Sequence, residues 1–232
     1  MGLPFFFVPE VNAKKIVMDE DTSKHMIGVL RMQKEEQILL TDGKGKKAMA
    51  SITDDNRKRC VVEVLSMEET APSARKTAIG ISLTKNASRF EWFLEKATEL
   101  GITEIIPLIC ERTEKEKFRM DRMQNILVSA MLQSQQCWIP RLQTPVDFIK
   151  VLQFPYEQKY IAHCVPDRKE ELSEQVINPA AGQLMLIGPE GDFTESEIAQ
   201  ALENNFLPVA LGPTRLRTET AGIVAATLLK FS

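Results

Sequence analysis

From about residue 78 onward, short apolar runs alternate with amphipathic stretches of helical period, and this alternation limits the fold more than any other feature of the chain. Residues 79–83, 102–109, 159–164, 183–187 and 208–211 read as strands. Residues 88–100, 121–138, 169–176 and the stretches from 195 and about 219 read as helices. In the helix at 88–100, Phe90, Phe93, Leu94, Ala97 and Leu100 share one face. In the helix at 121–138, Met123, Ile126, Leu127, Ala130 and Met131 point inward. Parallel strands need a long crossover to bring the chain back, so regular strand–helix alternation predicts a mostly parallel sheet covered by helices on both faces. Gly101 stands where a helix C-terminal glycine belongs. Pro107, which has no N–H to donate, predicts a bulge or an edge position in its strand.

The first 70 residues read differently. Apolar runs at 5–8, 38–41, 48–52 and 60–65 are separated by turn signals, and one helical piece at about 23–32 interrupts them. Asp42-Gly43-Lys44-Gly45 is a hairpin turn, since Asp-Gly supplies positive φ angles, and Asp54-Asp55-Asn56 is a second turn. Several short strands at this spacing predict a small barrel. Residues 68–77 are polar with a proline and predict a linker. The organisation expected is therefore residues 1–70 as a β-barrel, 71–77 as a linker and 78–232 as an α/β domain.

Bulk charge argues mildly against a nucleic-acid partner. The 232 residues carry a formal net charge of −3, whereas nucleic-acid binders are usually basic. The first 70 residues hold 11 basic and 12 acidic side chains, so a basic face there must be segregated from the acidic groups. Cys60, Cys110, Cys137 and Cys164 do not fall at metal-ligand spacings, and the only histidines are His25 and His163. No metal site is expected, and reduced, buried thiols are the plain reading. The start, MGLPFFFVPEV, does not read as a signal peptide, and no apolar run reaches membrane-spanning length. These features together predict a cytoplasmic protein.

Two segments carry candidate chemistry. In the first, the apolar run Leu184-Met185-Leu186-Ile187 enters Gly188-Pro189-Glu190-Gly191, and Thr194-Glu195-Ser196-Glu197 then forms a capping box. Glycines there admit a ligand to the backbone, and ligands of open α/β sheets bind beyond the carboxyl ends of strands. A tight strand-to-helix turn would use the same glycines. In the second, Val209-Ala210-Leu211-Gly212-Pro213 leads through Arg215 and Arg217 to a helix rich in small residues. A capped helix accounts for the threonines but leaves both arginines unexplained. Neither segment matches a Walker loop or a dinucleotide fingerprint.

GPEGDFTESE and LGPTRLRTETA resemble the signature segments of the 16S ribosomal RNA (uracil-N3)-methyltransferases, the RsmE family of the SPOUT superfamily. EKATELG at 95–101, ERT at 111–113, and His25 through Leu30-Arg31 followed by Asp42-Gly43-Lys44-Gly45 resemble further family segments in the same order. The chain departs from that pattern at Arg215, where relatives carry an aliphatic residue. The resemblance implies a PUA-like β-barrel joined to a SPOUT α/β domain with a deep C-terminal trefoil knot. General topology rules would not have suggested a knot. It further implies a homodimer acting on 16S ribosomal RNA, in the small ribosomal subunit, with S-adenosylmethionine as cofactor.

Carried onto this chain, the cofactor site comprises His163, Ile187, Gly188, Pro189, Glu190, Gly191, Leu211, Gly212, Leu216, Arg217 and Thr220. Candidate RNA contacts are His25, Arg31, Lys44, Lys46, Lys47 and Arg112. Arg217 is expected to stabilise the uracil enolate oxygen or to bind an adjacent phosphate, because guanidinium suits fixed contact with anionic oxygens. Glu219 or Glu190 is the candidate base, and a helix N-terminal carboxylate favoured by the dipole explains Glu219 equally well. Two other functions fit the same residues: a related SPOUT enzyme acting on another RNA, and a non-catalytic RNA-binding module.

Overall fold

The computed structural model describes residues 2–231 except 115, 116, 167, 168, 176, 177 and 179. The chain divides into two compact units. One comprises Met1–Pro72 with Met131–Ile139, the other Ser73–Ala130 with Pro140–Ser232.

The first unit is built on a five-stranded sheet of β1 (Phe5–Phe7), β2 (Lys15–Val17), β3 (Gln37–Thr41), β4 (Lys46–Asp54) and β5 (Val61–Glu69), in the order β1-β3-β4-β5-β2. β1 runs parallel to β3 and the other pairs are antiparallel. Ala48, Ala50 and Ile52 alternate inward along β4, the period-two signature of a strand with one buried face. They join Phe6, Ile38, Leu40 and Val62 in one core. The turn between β3 and β4 follows its sequence: Gly43 and Gly45 take φ of 66° and 100°. The Asp42 carboxylate accepts the Lys44 and Lys46 N–H groups at 2.8 and 3.1 Å.

The helical piece differs from its expected span. It begins at α1 (Glu20–Ser23), capped by Asp19, and widens into a π-helical stretch, Lys24–Val29. Asp19 accepts Thr22 N–H at 2.9 Å, a cap four residues ahead of the start expected at about residue 23. β2 is only three residues long, too short to show a period.

The second unit holds an eight-stranded sheet in which every pairing is parallel. Its elements are β6 (Thr77–Ser82), α2 (Ala87–Glu99), β7 (Glu104–Ile109), α3 (Met120–Gln133), β8 (Arg141–Leu142), β9 (Val146–Asp147), α4 (Phe148–Val151), β10 (Gln158–Ala162), β11 (Glu170–Glu171), β12 (Gln183–Ile187), α5 (Glu195–Glu203), β13 (Leu207–Ala210) and α6 (Thr218–Phe231). The order is β11-β13-β10-β12-β6-β7-β8, with β9 also beside β7. β6 and β12 are buried at every residue, as strands covered on both faces must be.

α2 starts where Asn86 accepts Ser88 N–H and ends at Gly101, whose φ is 74°. Phe90, Phe93, Leu94 and Ala97 are its buried face. Gly222 of α6 lets this face approach: a Cβ there would lie 2.7 Å from Phe93 and 2.9 Å from Ile81. Pro107 is neither in a bulge nor on an edge strand. It falls in the gap between β8, which pairs Glu104 and Ile105, and β9, which pairs Leu108 and Ile109, so its missing N–H leaves no ladder bond unmade on that side.

Two helix expectations are corrected. α3 stops at Gln133, and Gln135 adopts φ of 56°. The residues that follow return to the first unit, where Gly45 N–H donates to Cys137 O at 2.8 Å and Ile139 N–H to Gly43 O at 2.9 Å. The stretch expected as a helix at 169–176 is extended instead, insofar as it lies within the described residues. Glu170 and Glu171 pair with Val209 and Ala210, and one 3-10 turn, Leu172–Glu174, follows. Backbone pairing along β13 outweighed a period supported by very few apolar residues. No described helix is long and apolar enough to cross a membrane.

Candidate functional site

Three neighbouring parallel strands end at one level: Ala162 of β10 lies between Ile187 of β12 and Val209 of β13. The turns that follow them enclose a cavity of about 690 Å³, within the range of small-molecule sites. Its wall includes His163, Ile187, Gly188, Pro189, Glu190, Leu211, Gly212, Leu216 and Arg217. Both segments singled out in the sequence therefore meet at one place. Gly191 and Thr220 do not line the cavity. Gly191 instead offers its carbonyl to Arg112 Nη1 at 2.7 Å.

Sequence reasoning missed several groups that shape this cavity. Lys169 donates to His163 O at 2.6 Å and to Val165 O at 2.8 Å, collecting carbonyls beyond the end of β10. Glu171 accepts Gly212 N–H at 2.9 Å, which ties the turn after β13 to β11. Thr218 Oγ1 donates to Gly188 O at 3.1 Å. Asp192 accepts Cys164 N–H at 2.7 Å. These are single charged or hydroxyl side chains with no spacing rule. Only the proximity of the three turns reveals their role.

The turn after β12 is anchored from below as well. Phe193 is fully buried and packs on Phe148 with ring centroids 5.3 Å apart. Its ring would lie 3.1 Å from a Cβ at position 188, so a side chain there would crowd both the ring and the Phe193 backbone nitrogen at 3.2 Å. The capping box is complete: Thr194 Oγ1 accepts Glu197 N–H and Glu197 Oε2 accepts Thr194 N–H at 2.9 Å. Gly212 has φ of 108°, and the space where a Cβ would stand is open.

The candidate charged groups separate. Arg217 is exposed, lines the cavity and forms no ion pair among the described residues. Glu190 also lines it, and its Oε1 accepts Lys85 N–H at 3.0 Å. Glu219 does not. The residue is 8% exposed and its carboxylate lies 3.7 Å from Arg89 Nε of α2, because position 219 shares the Gly222 side of α6 that packs on α2. Its other oxygen, Oε2, has no hydrogen-bond partner among the described residues. Of the candidate RNA contacts, Arg112 lies in the second unit at the turn after β12. His25, Arg31, Lys44, Lys46 and Lys47 belong to the first unit. There His25 stacks edge-on against Phe6, Lys46 bonds Asn12, and Lys47 sits 5.9 Å over the Phe5 ring. Among the described residues no cluster of His, Cys, Asp or Glu could hold a metal ion.

The cysteines differ from one another more than the sequence reading allowed. Cys60 and Cys110 are buried, but Cys137 is half-buried and Cys164 is exposed at the cavity wall. Burial pushes the Cys110 thiol up to about 12, with the Glu197 carboxylate adding to the effect. Burial likewise lifts Cys60 to about 11. Both raised values keep the thiols protonated near pH 8, and the thiolate is the reactive form. Brief alkylation of the native protein at pH 8, read by peptide mass spectrometry, is expected to label Cys164 and to spare Cys60 and Cys110. Label on Cys110 under those conditions would show that the core beneath the site opens.

A parallel sheet whose strand ends carry a glycine-lined, backbone-rich cavity defines an α/β ligand-binding domain, and comparison with known proteins narrows this to one class. Residues 71–230 match the model of an RNA methyltransferase domain and residues 19–65 that of an RNA methyltransferase PUA domain. The chain belongs to the RNA methyltransferase family. It is 31% identical, over 85% of its own length and 66% of the relative's, to the ribosomal RNA small subunit methyltransferase E of Synechocystis. A crystal structure from Porphyromonas gingivalis, described as a "probable rRNA-methyltransferase", superposes with a TM-score of 0.91 at 34% identity, covering 98% of both chains. The ribosomal RNA small subunit methyltransferase E of Neisseria gonorrhoeae, solved bound to S-adenosyl methionine, gives 0.87 at 32% identity, covering 97% of this chain and 95% of the other.

Proposed function

We propose that this chain uses S-adenosylmethionine to methylate N3 of a uridine in 16S ribosomal RNA. One observation carries the reading: both signature turns line a single cavity at the ends of three parallel strands. The cavity also fits the cofactor chemically. Its wall carries both carboxylates (Glu190, Asp192) and cations (Lys169, Arg215, Arg217), and the cofactor carries a carboxylate, an ammonium and a sulfonium. Leu211 and Leu216 offer apolar surface and backbone groups for an adenine. The named relatives, one of them solved with the cofactor, support the assignment.

Bound S-adenosylmethionine supplies an electrophilic methyl group on sulfur, open to in-line attack. The chain's own residues must do three things for the uridine. The turns after β10, β12 and β13 hold the reactants in line, which in favourable cases removes about 7–11 kcal/mol of barrier. Glu190 takes the proton from N3. It faces the cavity, whereas Glu219 faces α2. Arg217 stabilises the charge that builds on the adjacent carbonyl oxygen.

The first unit serves as a PUA-like barrel that binds RNA through Lys44, Lys46 and Lys47 with His25 and Arg31. The second is a SPOUT domain with a trefoil knot. In support, α6 packs on α2, β6 and β12, although β13, from which it emerges, lies on the other side of β10. The enzyme works as a cytoplasmic homodimer on the small ribosomal subunit. The net charge of −3 favours a substrate that offers protein as well as phosphate contacts. The test is to incubate the purified protein with labelled S-adenosylmethionine and either naked 16S RNA or small subunits from an unmodified strain, and then map the product by mass spectrometry. N3-methyluridine at one 16S position is expected. Incorporation into another RNA, or cofactor binding without incorporation, would replace this reading with one of its alternatives.

A further inference from the structure

Asp192 adopts φ of 65°, in the left-handed region that glycine enters freely and other residues enter at a cost. It sits in a turn that already contains two glycines, yet this position carries a side chain. Both carboxylate oxygens are engaged. Oδ1 accepts Phe193 N–H within the turn at 2.9 Å. Oδ2 accepts Cys164 N–H at 2.7 Å, across to the turn that follows β10. The second bond joins two chain segments 28 residues apart, each of which forms part of the cavity wall. A carboxylate acceptor makes such a bond shorter and stronger than a neutral one.

We propose that Asp192 is a positioning residue for the cofactor: its carboxylate latches the turn after β10 to the turn after β12, so that both walls are set before ligand arrives. The proposal rests on the cavity being the S-adenosylmethionine site. Setting the walls in advance removes an ordering cost from binding. Lys169 gathers two carbonyls within the turn after β10, and Glu171 ties the turn after β13 to β11, while Asp192 provides the cross-link between the two turns carrying His163 and Gly188.

Three measurements on the full chain test it. Asp192→Gly removes the latch and also removes the steric cost of the positive φ. Its thermal midpoint should stay near that of the wild type, while calorimetry shows the Kd for S-adenosylmethionine rising about tenfold, equivalent to about 1.4 kcal/mol. Asp192→Asn keeps an oxygen that can accept Cys164 N–H, so it should restore most of the affinity. Amide hydrogen exchange on the unliganded protein should speed up at Cys164 in Asp192→Gly but not in Asp192→Asn. Unfolding of Asp192→Gly, wild-type affinity in that variant, or unchanged exchange at Cys164 overturns the latch. Faster exchange in a protein whose wild type binds no S-adenosylmethionine upholds the latch and removes the cofactor reading instead.

Discussion

Arg217→Ala is expected to lower the rate of methyl transfer by about 100- to 1,000-fold, the usual cost of removing a donor aimed at developing negative charge. The expectation follows from where the guanidinium stands. It lines the cavity, it is exposed, and no acidic partner among the described residues neutralises it. A cation held in this way is available to an anionic oxygen of the substrate. The loss should appear in kcat measured at saturating cofactor and RNA, and should exceed any rise in the calorimetric Kd for S-adenosylmethionine. Arg217→Lys should recover only part of the rate, because an ammonium keeps the charge but loses the planar fork. Near-normal turnover by Arg217→Ala would show that the enolate charge is met elsewhere, for example by backbone N–H groups of the turns.

Phe193→Ala is expected to cost about 3–5 kcal/mol of stability, the range for truncating a fully buried aromatic. Phe193 is 1% exposed and sits among Phe148, Ile198 and Phe206 in the core of the second unit. Its ring also backs Gly188, so the hole left behind lies directly under the turn after β12. Denaturant unfolding should show the midpoint falling, and S-adenosylmethionine should partly restore it, since a ligand that binds only the folded form stabilises by mass action. Phe193→Leu, which keeps most of the volume, should lose much less. If the midpoint of Phe193→Ala barely moved, the ring would not be the support described.

Much of this was legible in the chain. The buried face of α2, with its end at Gly101, could be read from spacing, because a helix that packs on one side must repeat its apolar residues every three or four positions. The capping box at Thr194 and Glu197 and the glycines of the hairpin at 42–45 were legible for a related reason: each satisfies backbone groups within a few residues. The two candidate ligand turns were visible as strands running into glycine. Local chemistry thus identified most elements and most of the cavity wall.

Other features were decided by partners distant in sequence. α3 ends at Gln133 because the backbone from Cys137 to Ile139 pairs with Gly43 and Gly45. Residues 170–171 are extended because β13 lies beside them. Glu219 turned out to face Arg89 rather than the cavity, since helix packing sets which side of α6 it occupies. Asp192, Lys169 and Glu171 gained their roles from turns that meet only in three dimensions. The sequence by itself determined a parallel α/β domain with ligand-admitting turns at two strand ends, since these depend on period and on residues a few places apart. The tertiary structure alone decided how those turns are locked together and which charges face the cavity, since both depend on hydrogen bonds between segments that have no common spacing.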